Sequence, residues 1–269
     1  METAIAFLAG LLIGSFLNVC IYRLPKDLSV VAPRSYCPQC ERTISWYDNI
    51  PLLSYLLLKG GCRFCRARIP ARYPAVELST GIAFAICVGE LGLSLAALKW
   101  CVFSAILIAL IATDFEERIL PDEFTLGGTV LGLVLAPFVP LSFETIGIFL
   151  PPLSPQATSL IEAAFGAAVA AGSIWLFVWI YQKIRRREDM MGFGDVKMIA
   201  MIGAFLGAPN TFLAIGAGSL VGGVLGLLYI VLTRKDFSTY PLPFGSFLGA
   251  GALAVAFVEE VFNYRLLSF

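Results

Sequence analysis

The sequence contains no histidine, and that one absence excludes much chemistry. No Ser-His-Asp or Cys-His nucleophile pair can be assembled. No H-E-x-x-H zinc-protease helix is possible, and no haem can be held by histidine. Hydrolytic chemistry must therefore use carboxylates, lysine, or a metal held by other ligands. Charge is scarce as well. Only 14% of the 269 residues are Asp, Glu, Lys or Arg, against roughly 25% in a soluble domain. Basic and acidic residues balance at 19 each, so net charge says little about partners. There is no glycine-rich Rossmann fingerprint, no low-complexity tract and no internal sequence repeat.

What is present is apolar. Hydrophobic residues make up 58% of the chain, and the mean hydropathy is +0.84. They fall in eight blocks, at about 3–22, 75–92, 95–113, 123–141, 159–182, 196–212, 213–232 and 244–262. Blocks of about twenty residues cross about 30 Å of hydrocarbon. The sequence therefore predicts an all-α polytopic membrane protein with about eight transmembrane helices. The first block reads as a retained helix and not a signal peptide. Glu2 precedes it, no basic n-region does, and Arg23 and Lys26 follow it. "LNVC", ending at Cys20, is a poor lipobox, because small residues do not precede the cysteine.

Lys and Arg set the orientation. With the N-terminus outside, loops 23–74, 114–122, 183–195 and 233–243, with Lys197, carry seventeen of the nineteen basic residues; Lys99 and Arg265 are the exceptions. The 142–158 loop has none, as an external loop should. Eight crossings return the C-terminus outside. Three regions are expected: a first transmembrane helix at 1–22, a cytoplasmic zinc-binding module at 23–74, and a seven-helix domain at 75–269.

The module carries "CPQC" at 37–40 and "CRFC" at 62–65, separated by twenty-one residues. Each pair can clamp one side of a tetrahedral ion, so Cys37, Cys40, Cys62 and Cys65 fill a structural zinc site. The competing reading is two disulfides, which do not persist in a reducing cytoplasm. A module this small has too little core to fold without a staple. Cys20, Cys87 and Cys101 lie inside apolar blocks and read as small buried hydrophobes.

Charged groups at the membrane edge are functional candidates. The third block ends "LIATD" at Asp114, and the sixth begins just after Asp195. The two run in opposite directions, so both aspartates fall at the cytoplasmic edge. Two facing carboxylates share a proton, because like charges close together cannot both ionise. The ionised member can activate water while the protonated member polarises a carbonyl. The helix N-terminus at Asp195 favours negative charge there. Gly192 and Gly194, in "GFGD", can adopt backbone conformations closed to other residues and let a substrate backbone approach. The bland alternatives are a solvated helix end at Asp114 and a simple N-cap at Asp195. Asp122 after Pro121 reads as a helix start or a helper to the site. Lys197 reads as an interfacial snorkelling residue or a charge tuning Asp195. Glu77 can face a pocket. Glu116, Glu117 and Arg118 read as a solvated loop.

These residues resemble a known family. "DFEERILPD" at 114–122 and "GFGDVK" at 192–197 are similar to the motifs of type IV prepilin peptidases, the bacterial GxGD aspartic proteases of the membrane. "GSFLNVCIYRLP", "CPQC", "NIPLLSYL", "CRFC", "RYPAVELST" and "PFGSFLGAGAL" extend the likeness along almost the whole chain. Two small departures are "ILPD" where "IPD" is common, and Ser246 where proline is frequent. The resemblance implies cleavage, after a glycine, of the basic leader of type IV prepilins and type II secretion pseudopilins at the cytoplasmic edge of the bacterial inner membrane. It implies Asp114 and Asp195 as the catalytic pair. It also implies methylation of the new N-terminus with S-adenosylmethionine, since the large loop marks the bifunctional members. The expected partners are these substrates and membrane lipid, with no nucleic acid. The acidic cluster Glu116, Glu117 and Asp122 is expected to attract leader lysines. Competing readings are a transporter, whose aspartates would sit near the midplane, a zinc-folded scaffold without catalysis, and a peptidase without methylation.

Overall fold

The computed structural model describes residues 1–141, 145–146, 153–185, 192–233 and 243–262. Most of the predicted external loop 142–158, and the stretches 186–191 and 234–242, lie outside them. The described chain is helical, and β structure among these residues is limited to two isolated bridges. It divides into two compact units, Met1–Thr113 and Asp114–Phe269.

The first unit holds α1 (Glu2–Arg23), a short α2 (Leu53–Leu57), α3 (Arg72–Leu91) and most of α4 (Leu95–Glu117). The second holds the last turn of α4, then α5 (Asp122–Leu135), α6 (Pro155–Arg185), α7 (Phe193–Thr233) and α8 (Phe244–Val255), which runs on as a π-helical turn, Ala256–Phe262. Among the described residues six helices are long and apolar enough to cross a membrane. Two features separate that number from the eight expected. The 14 residues of α5 span only about 21 Å at the helical rise, short of the ~30 Å hydrocarbon core. The sixth and seventh blocks form the single run α7, broken at Gly207 (φ 72°, ψ 174°). That backbone conformation is nearly closed to residues with a Cβ. Pro209 follows at the start of the second arm, where its missing N–H costs nothing. The break thus falls at 207 and not between 212 and 213. Beside it the buried Asn210 donates to Glu260 in the π-helical turn (3.0 Å).

Helices in lipid gain nothing from hiding apolar faces from one another, so backbone proximity and van der Waals packing hold them together. In the first unit, a Cβ on Gly10 would lie 2.7 Å from the Thr80 carbonyl oxygen, and one on Gly14 2.7 Å from Glu77 Cα. This four-residue glycine repeat seats α1 against α3. In the second unit, a Cβ on Gly203 of α7 would lie 2.5 Å from the Gly166 oxygen of α6, and one on Gly166 2.6 Å from the Gly203 oxygen.

The cysteine loop is built from two equivalent turns offset by 25 positions. Cys37 N–H donates to Arg42 O and Glu41 N–H to Cys37 O; Cys62 N–H donates to Ala67 O and Arg66 N–H to Cys62 O. Bridges Tyr36–Thr43 and Gly61–Arg68 close the two turns. Glu41 and Arg66 both take positive φ, at 56° and 61°. The expectation of no internal repeat is therefore corrected. The shared pattern C-x-x-C-x-x-x-I is legible in "CPQCERTI" and "CRFCRARI", but it is short enough to pass as coincidence. Asp48 accepts a bidentate pair from Arg63 (2.7 and 2.5 Å), which ties the turn Trp46–Asn49 to the second knuckle. The guanidinium holds the Asp48 carboxyl below the usual carboxylate range. At the C-terminal end of α1 the buried Arg23 donates to the carbonyls of Ser29 and Pro33 (2.8 and 2.6 Å), so its charge is solvated by backbone.

The glycine seam gives a paired prediction. Gly203→Val places side-chain atoms against backbone that cannot rotate away, and overpacking of this kind costs about 1–3 kcal/mol or more. Gly172→Ala in α6 meets nothing within 4 Å, and gains about 0.5–1 kcal/mol of helix propensity. Thermal unfolding in detergent should show a clear fall in Tm for the first and none for the second.

Candidate active site

Asp114 sits in the last turn of α4 and is buried, at 6% exposure. The helix ends one turn later. Arg118 takes a left-handed conformation (φ 57°), and both its N–H (3.1 Å) and its guanidinium (3.4 Å) donate to the Asp114 carbonyl. Three residues later Pro121 is the N-cap of α5. The connection is tight, and it projects Leu120 toward two other helix starts. A Cβ on Gly194 would lie 3.2 Å from Leu120 Cβ, and a Cβ on Gly245 3.2 Å from Leu120 Cδ1 and 3.0 Å from Asp114 Cγ. The first turns of α7 and α8 thus converge on the end of α4.

Asp195 lies in the first turn of α7, half-buried. Its N–H donates to Gly192 O (3.1 Å). Its carboxylate is near enough to that of Asp114 for the two charges to interact. Eighty-one positions separate the two residues in sequence, and the second unit brings them together.

Asp114 has partners that the sequence reading did not assign. Ser246 donates to Asp114 Oδ2 twice, through its backbone N–H (2.6 Å) and its hydroxyl (2.8 Å). Pro243, the N-cap of α8, supplies no side-chain cap. The carboxylate of Asp114 takes that role from another helix, and helix N-termini favour negative charge. Both aspartates, and not Asp195 alone, thus sit at a helix N-terminus that favours negative charge. The one sequence signal was a helix start, "PFGSF", without an acidic or hydroxyl N-cap of its own.

The glycines of "GFGD" behave differently from expectation. Neither takes a positive φ, so conformational freedom is not why they are glycine. Gly194 is glycine because Leu120 occupies the space beside it. Gly192 is exposed, and among the described residues a Cβ there would find only Asp195 Oδ2 (3.8 Å) and the Gly194 nitrogen (4.0 Å).

Lys197 donates to both carboxylate oxygens of Asp122 (2.7 and 2.9 Å) and lies over the Phe193 ring. The pair is partly exposed, so it contributes no more than about 1 kcal/mol. Its effect is geometric: it ties the first residue of α5 to the first turn of α7. Glu116 and Glu117 are exposed at the end of α4.

In the first unit, Sγ atoms of Cys37, Cys40, Cys62 and Cys65 lie within 4.8 Å of one another and can hold a metal ion. Backbone N–H groups of Cys65 and Phe64 point at the Cys62 sulfur and bring its thiol down to about 7, which favours the thiolate that binds metal. Ala67 N–H points at Cys65 as well, yet burial and the neighbouring sulfurs push that thiol up to about 11. Sulfurs this close cannot all ionise without a cation among them.

The first unit also contains an open cleft lined by α1, α3 and the cysteine loop. Asn18, 1% exposed, donates to the Tyr73 carbonyl (3.0 Å), while its Oδ1 accepts no hydrogen bond. Glu77, also buried, accepts from Leu52 N–H (2.8 Å) and from the Ser15 hydroxyl.

Known proteins resemble this chain over both of its halves. Residues 8–91, which contain the four cysteines, match the Bacterial Peptidase A24 N-terminal domain. Residues 101–227, which contain Asp114 and Asp195, match the Type IV leader peptidase family. A prepilin leader peptidase/N-methyltransferase of Pseudomonas putida is 32% identical over 98% of this chain and 94% of its own length. The type 4 prepilin-like proteins leader peptide-processing enzyme of Escherichia coli O78:H11 is 36% identical, covering 96% and 94%. The prepilin leader peptidase/N-methyltransferase of Pseudomonas aeruginosa is 34% identical, covering 94% and 90%. No solved structure matches. With both halves matched, and relatives alike over nearly the whole length, the chain belongs to the Type IV leader peptidase family.

Proposed function

We propose that this protein is a bifunctional membrane aspartic endopeptidase. It removes the leader of type IV prepilins or type II secretion pseudopilins after glycine at the cytoplasmic membrane edge, then N-methylates the new N-terminus. The observation that carries the peptidase reading is the meeting of Asp114 and Asp195 at converging helix ends in a chain without histidine. The methyltransferase reading rests on the names of the relatives.

The chemistry follows from two carboxyl groups sharing a proton. The ionised member takes a proton from water as the water oxygen attacks the scissile carbonyl carbon. The protonated member donates to the carbonyl oxygen, giving a tetrahedral diol. As the C–N bond breaks, a proton passes to the departing nitrogen, and a carboxylic product and a free amine remain. Ser246 tethers one oxygen of Asp114 throughout, so the catalytic geometry is set before substrate arrives. Gly192, Gly194, Asp122 and Lys197 support the pair: Leu120 packs into the space at Gly194, the Asp122–Lys197 contact fixes α5 against α7, and exposed Gly192 leaves room beside Asp195. S-adenosylmethionine supplies the methyl group for the second reaction.

In this reading residues 1–22 are the first transmembrane helix, 23–74 a cytoplasmic zinc module, and 75–269 a seven-helix peptidase domain whose short α5 enters the membrane without crossing its full hydrocarbon thickness. The protein resides in the bacterial inner membrane, both termini are extracytoplasmic, and the large loop and active site face the cytoplasm. Substrates and lipid are its partners, with no nucleic acid. Four thiolates with no open position suit a structural zinc ion.

Three outcomes are expected. Mass spectrometry of a prepilin incubated with enzyme and S-adenosylmethionine should show cleavage and a methyl adduct for wild type. Asp114→Asn and Asp195→Asn should each lose about 10²–10⁴-fold or more in cleavage rate, and equal cleavage by all three would dismiss the pair. Elemental analysis should find zinc equimolar with protein. A chelator or Cys62→Ser should release it and open Arg34, Arg42 and Arg66 to trypsin, whereas an unchanged digestion pattern would show that the ion does not fold the loop. Finally, Glu116→Gln with Glu117→Gln should raise KM for a basic leader more than it lowers kcat. The difference should shrink in high salt, as screening shortens the reach of exposed charge; an unaltered KM would remove these residues from leader recognition.

A further inference from the structure

Between its two knuckles the cysteine loop carries α2, and the outer face of α2 is apolar. Leu53, Leu56 and Leu57 stand at positions i, i+3 and i+4, so they share that face. All three are exposed, Leu56 and Leu57 at 71% and 72%. Trp46, in the turn before α2, is 74% exposed. The inner side of α2 is occupied. Buried Ser54 donates to the Tyr47 carbonyl (2.9 Å) and accepts from Ile50 N–H (3.1 Å). Backbone groups of the segment pair with one another: Leu56 N–H donates to Leu52 O, Leu58 N–H to Ser54 O, and Gly60 N–H to Tyr55 O. Backbone satisfied in this way can leave water, and three leucines with a tryptophan favour the boundary between headgroups and acyl chains.

The depth of α2 identifies what covers this face. Leu52, its N-cap, takes a positive φ (58°) and donates its N–H to Glu77 (2.8 Å). Glu77 lies five residues into α3, about 7.5 Å from its start at the helical rise. The start of α2 is thus pinned beside the end of a membrane span, and not in the water beyond it. Charge points the same way. Residues 23–74 hold nine basic and three acidic residues. Exposed Lys59 follows α2, and Arg63 lies over the Tyr47 ring (5.4 Å). Tryptophan and tyrosine concentrate at membrane–water interfaces, and clustered Lys and Arg beside a span attract acidic headgroups. We infer that Trp46 and the outer face of α2 insert into the adjoining lipid leaflet, with the loop's basic residues against acidic phospholipid headgroups. This contact goes beyond the proposed activity. It gives the cysteine loop a third attachment to the membrane, between those supplied by α1 and α3, with one knuckle on either side of it.

The test uses the full-length wild-type protein in vesicles of neutral and acidic phospholipid, doped with a phospholipid whose acyl chain carries a photoreactive group. After illumination, the protein is denatured, digested with trypsin and analysed by mass spectrometry. Residues 43–59 emerge as one peptide, because Arg42 and Lys59 bound it and no Lys or Arg lies between. It contains Trp46 and α2 and no part of a span. Its labelling should come within about threefold of that on peptides 1–23 and 73–99, which carry α1 and α3. Leu56→Ser combined with Leu57→Ser should lower the label on 43–59 by about fivefold or more, while metal content stays at the wild-type level and reports a folded loop. Wild-type protein labelled on 1–23 and 73–99 but not on 43–59 would overturn the inference, since the face then meets water, a second copy or a partner protein. Undiminished label on a variant that keeps its metal would overturn it too. Both leaflets carry the probe and no cleavage or methylation is measured, so a negative result leaves the peptidase reading and the orientation of the chain as they stand.

Discussion

Close approach of helix backbones is the constraint on which the rest of this structure depends. Lipid tails solvate leucine as well as another helix does, so apolar burial alone does not bring two spans together. Glycine removes the side chains that would keep the backbones apart. Gly10 and Gly14 let α1 settle on α3, and Gly166 and Gly203 let α6 and α7 meet at van der Waals distance. The same device recurs where chemistry is placed. Gly194 and Gly245 admit Leu120, and the two helix starts that carry them can then reach the end of α4. The aspartates meet because small residues surround them.

The site built this way has two levels. The carboxylates are the proposed reacting groups. Around them lies a shell that fixes position without taking part in bond changes: Ser246 on one oxygen of Asp114, Arg118 on its carbonyl, and the Asp122–Lys197 contact between α5 and α7. These contacts differ in worth. A partly exposed ion pair contributes little stability. Hydrogen bonds from two donors to one buried carboxylate are charge-assisted and roughly twice as strong as neutral ones. Ser246 is therefore the stronger constraint on the site, although the ion pair is easier to notice.

Local patterns were legible in the sequence and long-range partners were not. Apolar blocks gave the helices, because hydropathy is a property of the segment itself. Paired C-x2-C motifs gave the four-cysteine cluster, because each half is a local turn. Asp114 and Asp195 were singled out as charges at the ends of apolar runs. The break at Gly207 was displaced by about five positions, since hydropathy does not dip there; Gly207 and Pro209 were the signals that a reading by residue type would have used. Ser246 and Asn18 were missed for another reason. A serine near a helix start and an asparagine inside an apolar helix are ordinary in isolation, and their meaning lies in partners 132 and 55 positions away. The reason for a glycine at 194 lies likewise in a neighbour: freedom of φ could be imagined from sequence, whereas the approach of Leu120 could not.

The contact between Asp114 and Ser246 also carries a schedule. A chain emerges N-terminus first, and α8 follows α4 by 132 positions. Asp195 is already synthesised when the donors that orient Asp114 are still to come. A protease assembled in this order acquires its aligned carboxylate pair only once its last described helix has docked. On the proposed mechanism, a chain made only as far as Asp195 holds both carboxylates but lacks the donors that orient Asp114.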